Sequence, residues 1–214
     1  MSAHPEIVIS RPDFPLAFRQ EADHRIANSL QIISALVRQR ARSGTISNPK
    51  TFLMEVADRI DTVGKLHRLL AESATETVQL GSYLTEICKR LTEALAPTAT
   101  SFAVDCPADC PLPAKIALPL ALITAELVSN SLKYAHPAGL PTKITLTCSR
   151  NEDGDLTIVY EDDGVGFPEK FDLEGPSHMG IRFIQLLSKS VAASARGHSD
   201  ALGVRFQIAL STAF

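Results

Sequence analysis

Residues 126–135 read Glu-Leu-Val-Ser-Asn-Ser-Leu-Lys-Tyr-Ala, and they end a mostly apolar run, 116–135, that predicts a long helix. On that helix Glu126, Asn130 and Lys133 are spaced i, i+4 and i+7, so they share one face. A carboxylate, an amide oxygen and an ammonium together suit Mg²⁺ and polyphosphate, because Mg²⁺ takes oxygen ligands and keeps several waters. The alternative interpretation is an ordinary solvated helix face.

A glycine-containing turn comes directly after a predicted strand at residues 156–161. Residues 161–168 read Glu-Asp-Asp-Gly-Val-Gly-Phe-Pro. The pattern Asp-x-Gly-x-Gly is weak by itself, because strand-ending turns use the same residue types. It is not the dinucleotide-binding fingerprint, since it lacks the third glycine and no helix opens directly on the turn.

A third motif places a glycine at the start of a helix. Residues 177–187 read Ser-His-Met-Gly-Ile-Arg-Phe-Ile-Gln-Leu-Leu, and the predicted helix covers residues 179–189. A helix N-terminus offers free N–H groups and a positive dipole end to phosphate. An ordinary loop-to-helix junction remains the alternative for this stretch.

The N-terminal part has the periodicity of two amphipathic helices. In residues 16–42 an apolar stripe repeats at spacings of four, three and four: Ile26, Leu30, Ile33 and Val37. Asn48-Pro49 then predicts the start of a second helix, which extends to about residue 72 and has an apolar side of Leu53, Val56, Ile60, Val63 and Leu70. One hairpin cannot enclose these stripes well, so we expect two copies to form a four-helix bundle.

The order of elements indicates an α+β fold rather than a doubly wound parallel sheet. We expect a tail at residues 1–15, the helical hairpin at 16–73 and a second domain at 79–214, with a hinge near 73–78. Within the second domain the further predicted elements are a helix at 80–94 and strands at 99–105, 143–150 and 204–210.

One histidine lies on the solvent face of the first helix. At about 100° per residue, the apolar stripe lies about 180–240° away from His24 around the helix axis. Asp23 and Arg25 beside it could orient the ring and balance the charge of a phosphoryl group. A lone histidine is usually structural, but this geometry argues against a core role.

The stretch 21–31, Glu-Ala-Asp-His-Arg-Ile-Ala-Asn-Ser-Leu-Gln, resembles the phosphoacceptor H-box of sensor histidine kinases. It is similar to the branch that reads His-Arg-x-x-Asn-x-Leu-Gln. The resemblance implies that His24 is phosphorylated and that Asn28 positions water for phosphatase activity. Arg25 stands where the larger branch has an acidic base, so Asp23 is the candidate base here. Ala27 replaces a lysine that is frequent in this branch.

The three C-terminal motifs, in this order, resemble the N, G1 and G2 boxes of GHKL-type ATPases. The resemblance implies a GHKL-type α/β sandwich with ATP and Mg²⁺. Asn130 is then a Mg²⁺ ligand, together with Glu126 as metal ligand and catalytic residue, and Lys133 reaches phosphate. The remaining implied contacts are Asp162 at the adenine amino group, Gly164 and Gly166 along the nucleotide, and Gly180 and Arg182 at the phosphates. Gly203-Val204 stands where the family commonly has Gly-Thr.

Composition sets limits on function and location. The 214 residues carry a formal net charge of −3 with dispersed Lys and Arg, which gives no reason to expect nucleic-acid binding. No run of about 18 apolar residues and no charged-then-apolar leader is present, so we expect a cytoplasmic protein without a membrane span. The four cysteines lack metal-site spacing, and we expect all of them to be free thiols.

Three functions remain open from the sequence. The first is a histidine kinase that autophosphorylates His24 from ATP and transfers the phosphoryl group to an aspartate of a response-regulator receiver domain. The second is a non-catalytic histidine phosphotransferase whose nucleotide domain has degenerated. The third is a GHKL anti-sigma-type switch kinase or partner-binding module, which does not require an exposed His24. We expect no sensor domain before the hairpin, which favours either the phosphotransferase or a separate sensor protein as partner. A homodimer is also expected.

Overall fold

The computed structural model describes residues 16–42, 48–72, 77–95, 100–167 and 179–211. The expected tail, residues 73–76 of the expected hinge, Pro168 of the second motif and residues 177–178 of the third motif lie outside this part. The helices are α1 (Leu16–Arg42), α2 (Pro49–Glu72), α3 (Leu80–Leu95), α4 (Ala114–Tyr134) and α5 (Met179–Ser190). The strands are β1 (Thr77–Gln79), β2 (Ser101–Asp105), β3 (Pro111–Pro113), β4 (Lys143–Arg150), β5 (Leu156–Asp162), β6 (Ala193–Asp200) and β7 (Gly203–Leu210).

The N-terminal hairpin consists of α1 and α2, which pack against each other. The second helix begins where the sequence predicts: the Asn48 side chain accepts a hydrogen bond from the Thr51 N–H at 3.1 Å and caps the free end of the helix. Pro49 occupies the first helical position, where its missing N–H costs no hydrogen bond.

The C-terminal part is a sheet covered by helices. Its five strands have the order β2-β4-β5-β7-β6, with β2 parallel to β4 and the other pairs antiparallel. Alternate side chains of the central strands are buried, including Ile144, Leu146, Ile158, Tyr160 and Phe206. The helices α3, α4 and α5 pack side by side, and each also contacts a strand. The α+β architecture is therefore as predicted.

Strands β1, β3 and β6 are absent from the sequence-based prediction. Strands β1 and β3 are three residues each and pair only with each other. Strand β6 reads Ala-Ser-Ala-Arg-Gly-His-Ser-Asp, which has little β-branched or aromatic character. It is held by its antiparallel register with β7, so tertiary pairing overrides its weak propensity.

The expectation that all four cysteines are free thiols is wrong for two of them. Cys106 and Cys148 form a disulfide, whereas Cys88 and Cys110 are free and buried. The pairing follows from topology, because Cys106 directly follows β2 and β2 lies parallel to β4 with Asp105 opposite Thr147. Residues 42 positions apart in sequence are thus neighbours across two strands.

Helix α4 is the core helix of this layer. In the described part of the chain it is the one helix whose length and composition would allow it to cross a membrane. Its apolar window is 67% buried inside the protein, which is also the behaviour of a core helix in a soluble fold.

The hairpin packs directly against the sheet-covering helices. Helix α1 contacts α5, and α2 contacts α4, so one continuous apolar core includes Ile33 and Leu66 as well as the sheet interior. On α1 the buried positions Arg25, Ser29 and Leu36 lie about 100–140° from His24. The expected stripe is therefore only partly the buried face: Ile33 is buried, but Leu30 is exposed, because α4 and α5 cover a different side of the helix.

The shared core predicts cooperative unfolding of the hairpin with the sheet layer. Leu66→Ala removes a buried side chain at this junction and should lower the free energy of unfolding by about 2–5 kcal/mol. Leu202→Ala is the matched control, because Leu202 is 83% exposed in the β6–β7 turn. Urea denaturation should show one transition that shifts for Leu66→Ala alone; two separate transitions in the parent would contradict a shared core.

Candidate functional site

A cavity of about 650 Å³ opens at the C-terminal half of α4. Its walls come from α4, from strands β5 and β7, from the turn after β5, from the start of α5 and from α2. The three C-terminal motifs therefore meet at one place. Of the predicted site residues, those that line this cavity are Glu126, Asn130, Asp162, Gly166 and Gly180.

Asp162 is held in place by three groups from different elements. Its Oδ1 accepts hydrogen bonds from the Gly164 N–H and from the Val204 N–H, each at 3.1 Å. Its Oδ2 accepts from the Ser131 hydroxyl of α4. A carboxylate has about four acceptor sites, so Asp162 keeps capacity for a donor inside the cavity.

Ser131 and Tyr160 are site residues that the sequence-based prediction missed. The Tyr160 hydroxyl lies 2.7 Å from the Ser131 hydroxyl, which itself bonds to Asp162. Burial raises the pKa of Tyr160 well above its ordinary value, so the phenol remains protonated and can donate to Ser131. The Tyr160 and Ser131 hydroxyls thus form a hydrogen-bonded chain that ends with a donor to Asp162. A serine inside an apolar helix is the only signal for it in the sequence.

The turn after β5 is fastened to the end of α4. The Val165 N–H donates to the Ala135 carbonyl at 2.9 Å. A Cβ on Gly164 would lie 2.6 Å from the Ala135 Cα, so only glycine permits this approach. Gly164 is thus required for contact with α4, while Gly166 lies at the cavity wall.

The next residue stabilises the same turn from its outer side. The Asp163 carboxylate accepts from the Lys143 N–H at 2.8 Å and contacts His136 at 3.1 Å. Partial burial opposes ionisation of this carboxyl, but the hydrogen bonds from Lys143 and His136 outweigh it and lower the pKa of Asp163. The charged turn is therefore anchored to both β4 and the end of α4.

Two residues that were expected to contact phosphate, Lys133 and Arg182, do not line this cavity. The Lys133 ammonium is 3.9 Å from the Asp58 carboxylate of α2, and Lys133 is not among the residues that line the cavity. Arg182 donates to the Gln185 side chain at 3.1 Å on α5, also outside the cavity lining. Helix periodicity places Lys133 near the Glu126–Asn130 face, but the packing of α2 gives it a different partner.

Helix α2 contributes two residues that the motifs did not predict. Glu55 and Arg59 line the cavity together with residues of α4 and α5. The Arg59 Nη2 donates to the Glu126 Oε1 at 2.5 Å. Nothing in the sequence of α2 distinguishes Arg59 from other charged helix residues, so only the docking of the hairpin reveals it.

His24 is exposed on α1, as predicted, and Asp23 and Asn28 beside it are exposed as well. Arg25, by contrast, is buried in the wall of a second cavity of about 340 Å³ between α1, the first half of α4 and the end of α5. This second cavity includes Asn28 and Pro119. Arg25 and Asn28, which flank His24 on α1, thus lie beside Pro119, whereas Asn130 lines the main cavity. The helical rise from Pro119 to Asn130 is roughly 16 Å, so His24 lies toward the opposite end of α4 from the main cavity.

Comparison with known proteins identifies the family of both parts of the chain. A family model described as histidine kinase matches residues 21–95, and one described as histidine kinase-, DNA gyrase B- and HSP90-like ATPase matches residues 116–208. The sensor histidine kinase PdtaS of Mycobacterium tuberculosis is 27% identical over 184 residues, which is 85% of this chain and 36% of PdtaS. Blue-light-activated histidine kinase 2 of Erythrobacter litoralis is 24% identical over 184 residues, covering 81% of this chain and 51% of that protein.

Solved structures share the fold. The Erythrobacter litoralis EL346 blue-light activated histidine kinase superposes with a TM-score of 0.74 at 20% identity, over 94% of this chain and 62% of that one. The Acinetobacter baumannii histidine kinase AdeS gives a TM-score of 0.56 at 12% identity, over 89% of this chain and 98% of that one. The expected GHKL-type domain behind the N-terminal helices is confirmed. The chain belongs to the two-component histidine kinase family, in which histidine-bearing helices are joined to a GHKL-type ATPase domain.

Proposed function

We propose that this chain is the catalytic core of a kinase that autophosphorylates His24 from ATP and passes the phosphoryl group to an aspartate of a response-regulator receiver domain. The observation that carries the proposal is the convergence of Asp162, Asn130 and Gly180 on one cavity in a chain that also exposes His24. The chain spans only about a third to a half of the length of the relatives it matches, so further segments can add to this activity.

The cavity orients a nucleotide with its base at Asp162. The free acceptor capacity of Asp162 suits the adenine amino group, and the apolar walls at Phe206 and Ile181 suit an aromatic base. Gly180 is the second residue of α5, where unpaired helix N–H groups favour phosphate. The base and the phosphates are therefore assigned to the two ends of the cavity.

The same residues fit Mg²⁺. Asn130 offers an amide oxygen at the cavity wall, and Glu126 retains Oε2 while Oε1 bonds to Arg59. Magnesium in such sites takes one or two protein oxygens and completes its shell with phosphate and water, so this donor set is sufficient. When bound, the ion neutralises charge on the transferring phosphoryl group.

Transfer to His24 requires movement from the arrangement described here. His24 and the phosphate end of the cavity lie at opposite ends of α4, whereas in-line transfer needs the reacting atoms about 3–3.5 Å apart. Either the hairpin leaves the face of α4 and α5 within one chain, or His24 of a second copy reaches the cavity. Asp23 is the candidate base beside the acceptor, because it is exposed on the same turn as His24.

The separation of His24 from the cavity also favours a second candidate function, a phosphotransferase relay without kinase activity. Such a relay needs only the exposed His24 and a docking face for receivers. The two functions differ in whether ATP labels the chain: the kinase yields an acid-labile, base-stable phosphate, and the relay yields none. For the kinase, we also propose a cytoplasmic location and a separate sensor protein as partner.

We also propose a homodimer through the outer face of the hairpin. Docking against α4 and α5 leaves Leu30 of α1 and Leu53, Met54 and Ile60 of α2 exposed. Burying an apolar side chain contributes roughly 1.5–3 kcal/mol, so a second hairpin on this face would form the four-helix bundle expected from the sequence.

The first prediction concerns the acceptor. His24→Ala should abolish acid-labile labelling by radiolabelled ATP and leave ATP affinity unchanged, because His24 lies far from the cavity. His198→Ala is the matched control, since His198 is an exposed histidine on β6 and should keep the label. Acid-labile label in folded His24→Ala protein would show that another residue is the acceptor.

The second prediction concerns the base end of the cavity. Asp162→Asn keeps an oxygen for the Gly164 and Val204 N–H groups but replaces the charged acceptor. Loss of a charge-assisted hydrogen bond costs about 1.5–3 kcal/mol, so calorimetry should find roughly ten- to a hundredfold weaker ATP binding. Asp153→Asn, in the exposed turn between β4 and β5, is the control. Equal ATP affinity in both variants would exclude Asp162 from adenine recognition.

The third prediction concerns association. Light scattering at micromolar concentration should give about twice the monomer mass of 23.1 kDa for the parent, and the monomer mass for Leu30→Glu, because a buried charge opposes the bundle. Leu202→Glu places the same charge on an exposed leucine far from the hairpin and should remain dimeric. A monomeric parent would contradict the proposed dimer. A dimeric Leu30→Glu variant would show that the interface lies elsewhere.

A further inference from the structure

The phosphate end of the cavity has little positive charge from the expected sources. Lys133 pairs with Asp58, and Arg182 bonds to Gln185 along α5. Among the described residues that line the cavity, Arg59 is the only cation. A triphosphate carries several negative charges, so a protein cation near them would strengthen binding.

Arg59 lies where α5 begins. A Cβ on Gly180 would meet the Glu126 Oε1 first and would be 3.4 Å from the Arg59 Nη2, so the Glu126–Arg59 ion pair lies against the helix start that favours phosphate. The Arg59 Cζ is also 5.8 Å from the centre of the buried Phe183 ring on α5, which orients the plane of the guanidinium.

Part of the guanidinium has no partner. Arg59 uses Nη1 for the Glu55 carbonyl at 3.0 Å and Nη2 for Glu126 at 2.5 Å. Its side chain is 9% exposed, and its buried Nε–H has no hydrogen-bond acceptor within the part of the chain that the structure describes. An arginine has five N–H donors, and an unsatisfied buried donor is costly, so this site has unused capacity for an anion.

We propose that Arg59 is a polyphosphate-binding residue of the nucleotide site, supplied to the ATPase domain by helix α2 of the histidine-bearing hairpin. The inference rests on the proposed ATP-binding function and adds a residue and a specificity to it. Arg59 contacts the β- or γ-phosphate, so it discriminates ATP from AMP and leaves recognition of the base to Asp162.

The carboxylates around Arg59 are consistent with this role. Glu126 faces it from α4, and the Glu55 carboxylate lies 3.7 Å from Nη1 on its own helix. Both hold the guanidinium at the cavity wall and balance its buried charge before the nucleotide binds. Because these carboxylates would repel phosphate, ATP binding through Arg59 requires saturating Mg²⁺, and affinity is measured under that condition.

A phosphate contact made by α2 also couples nucleotide binding to the position of the hairpin. ATP that contacts both domains binds the docked arrangement more tightly than the separated one, so it stabilises docking by the same factor. The nucleotide thereby holds His24 away from the cavity until the hairpin is released. AMP lacks the β- and γ-phosphates and should not have this effect.

The test measures ATP and AMP affinity by calorimetry with the full chain at saturating Mg²⁺. Arg59→Gln should weaken ATP binding roughly tenfold and change AMP binding by less than about twofold, since only the terminal phosphates lose a charged partner. Arg59→Lys keeps the charge and should recover most of the ATP affinity. Arg90→Gln is the control, because Arg90 forms an exposed pair with Glu86 on α3.

Hydrogen exchange supplies a second readout that does not depend on measured affinities. ATP should slow amide exchange in α2 around Arg59 more than AMP does, and Arg59→Gln should remove the difference. Equal protection by both nucleotides, or equal losses of ATP and AMP affinity in Arg59→Gln, would overturn the inference while leaving the proposed function intact. A parent that binds neither nucleotide would overturn both.

Discussion

The nucleotide site depends on the Asp162 carboxylate being held at the junction of three elements. Ser131 reaches it from α4, the Gly164 N–H from the turn after β5, and the Val204 N–H from β7. These hydrogen bonds fix the positions of the helix, the turn and the sheet relative to one another, and so define the shape of the cavity between them. A side chain without acceptor oxygens at this position would leave two backbone donors and the Ser131–Tyr160 chain without their acceptor.

The second constraint is the docking of the hairpin on α4 and α5. It buries Arg25 and Leu36 of α1, brings Arg59 to the cavity wall and keeps His24 at the far end of α4. The same contact explains both a continuous core and a geometry unsuited to phosphoryl transfer. Under the proposed kinase function, nucleotide binding is linked to the chemistry at His24 either by movement of the hairpin or by the approach of His24 from a second copy.

Much of the fold followed from local pattern, and the rest depended on tertiary contacts. The helices around Leu30 and Asn130, with strands β4 and β5, were predictable because apolar periodicity and turn residues specify them. Strand β6 and the Cys106–Cys148 bond arise from pairing between strands distant in sequence, which a single sequence does not encode locally. Likewise the motifs identified Asp162 and Gly180, but Arg59 reaches the cavity only through the docked hairpin.

The central claim is that ATP bound near Asp162 phosphorylates His24. Peptide mapping by mass spectrometry at neutral to basic pH, after incubation of the parent protein with ATP and Mg²⁺, tests it most directly. The account predicts a phosphoryl group on the peptide that contains His24, released by brief acid treatment. Absence of phosphate from that peptide, with ATP binding intact, would contradict the kinase assignment.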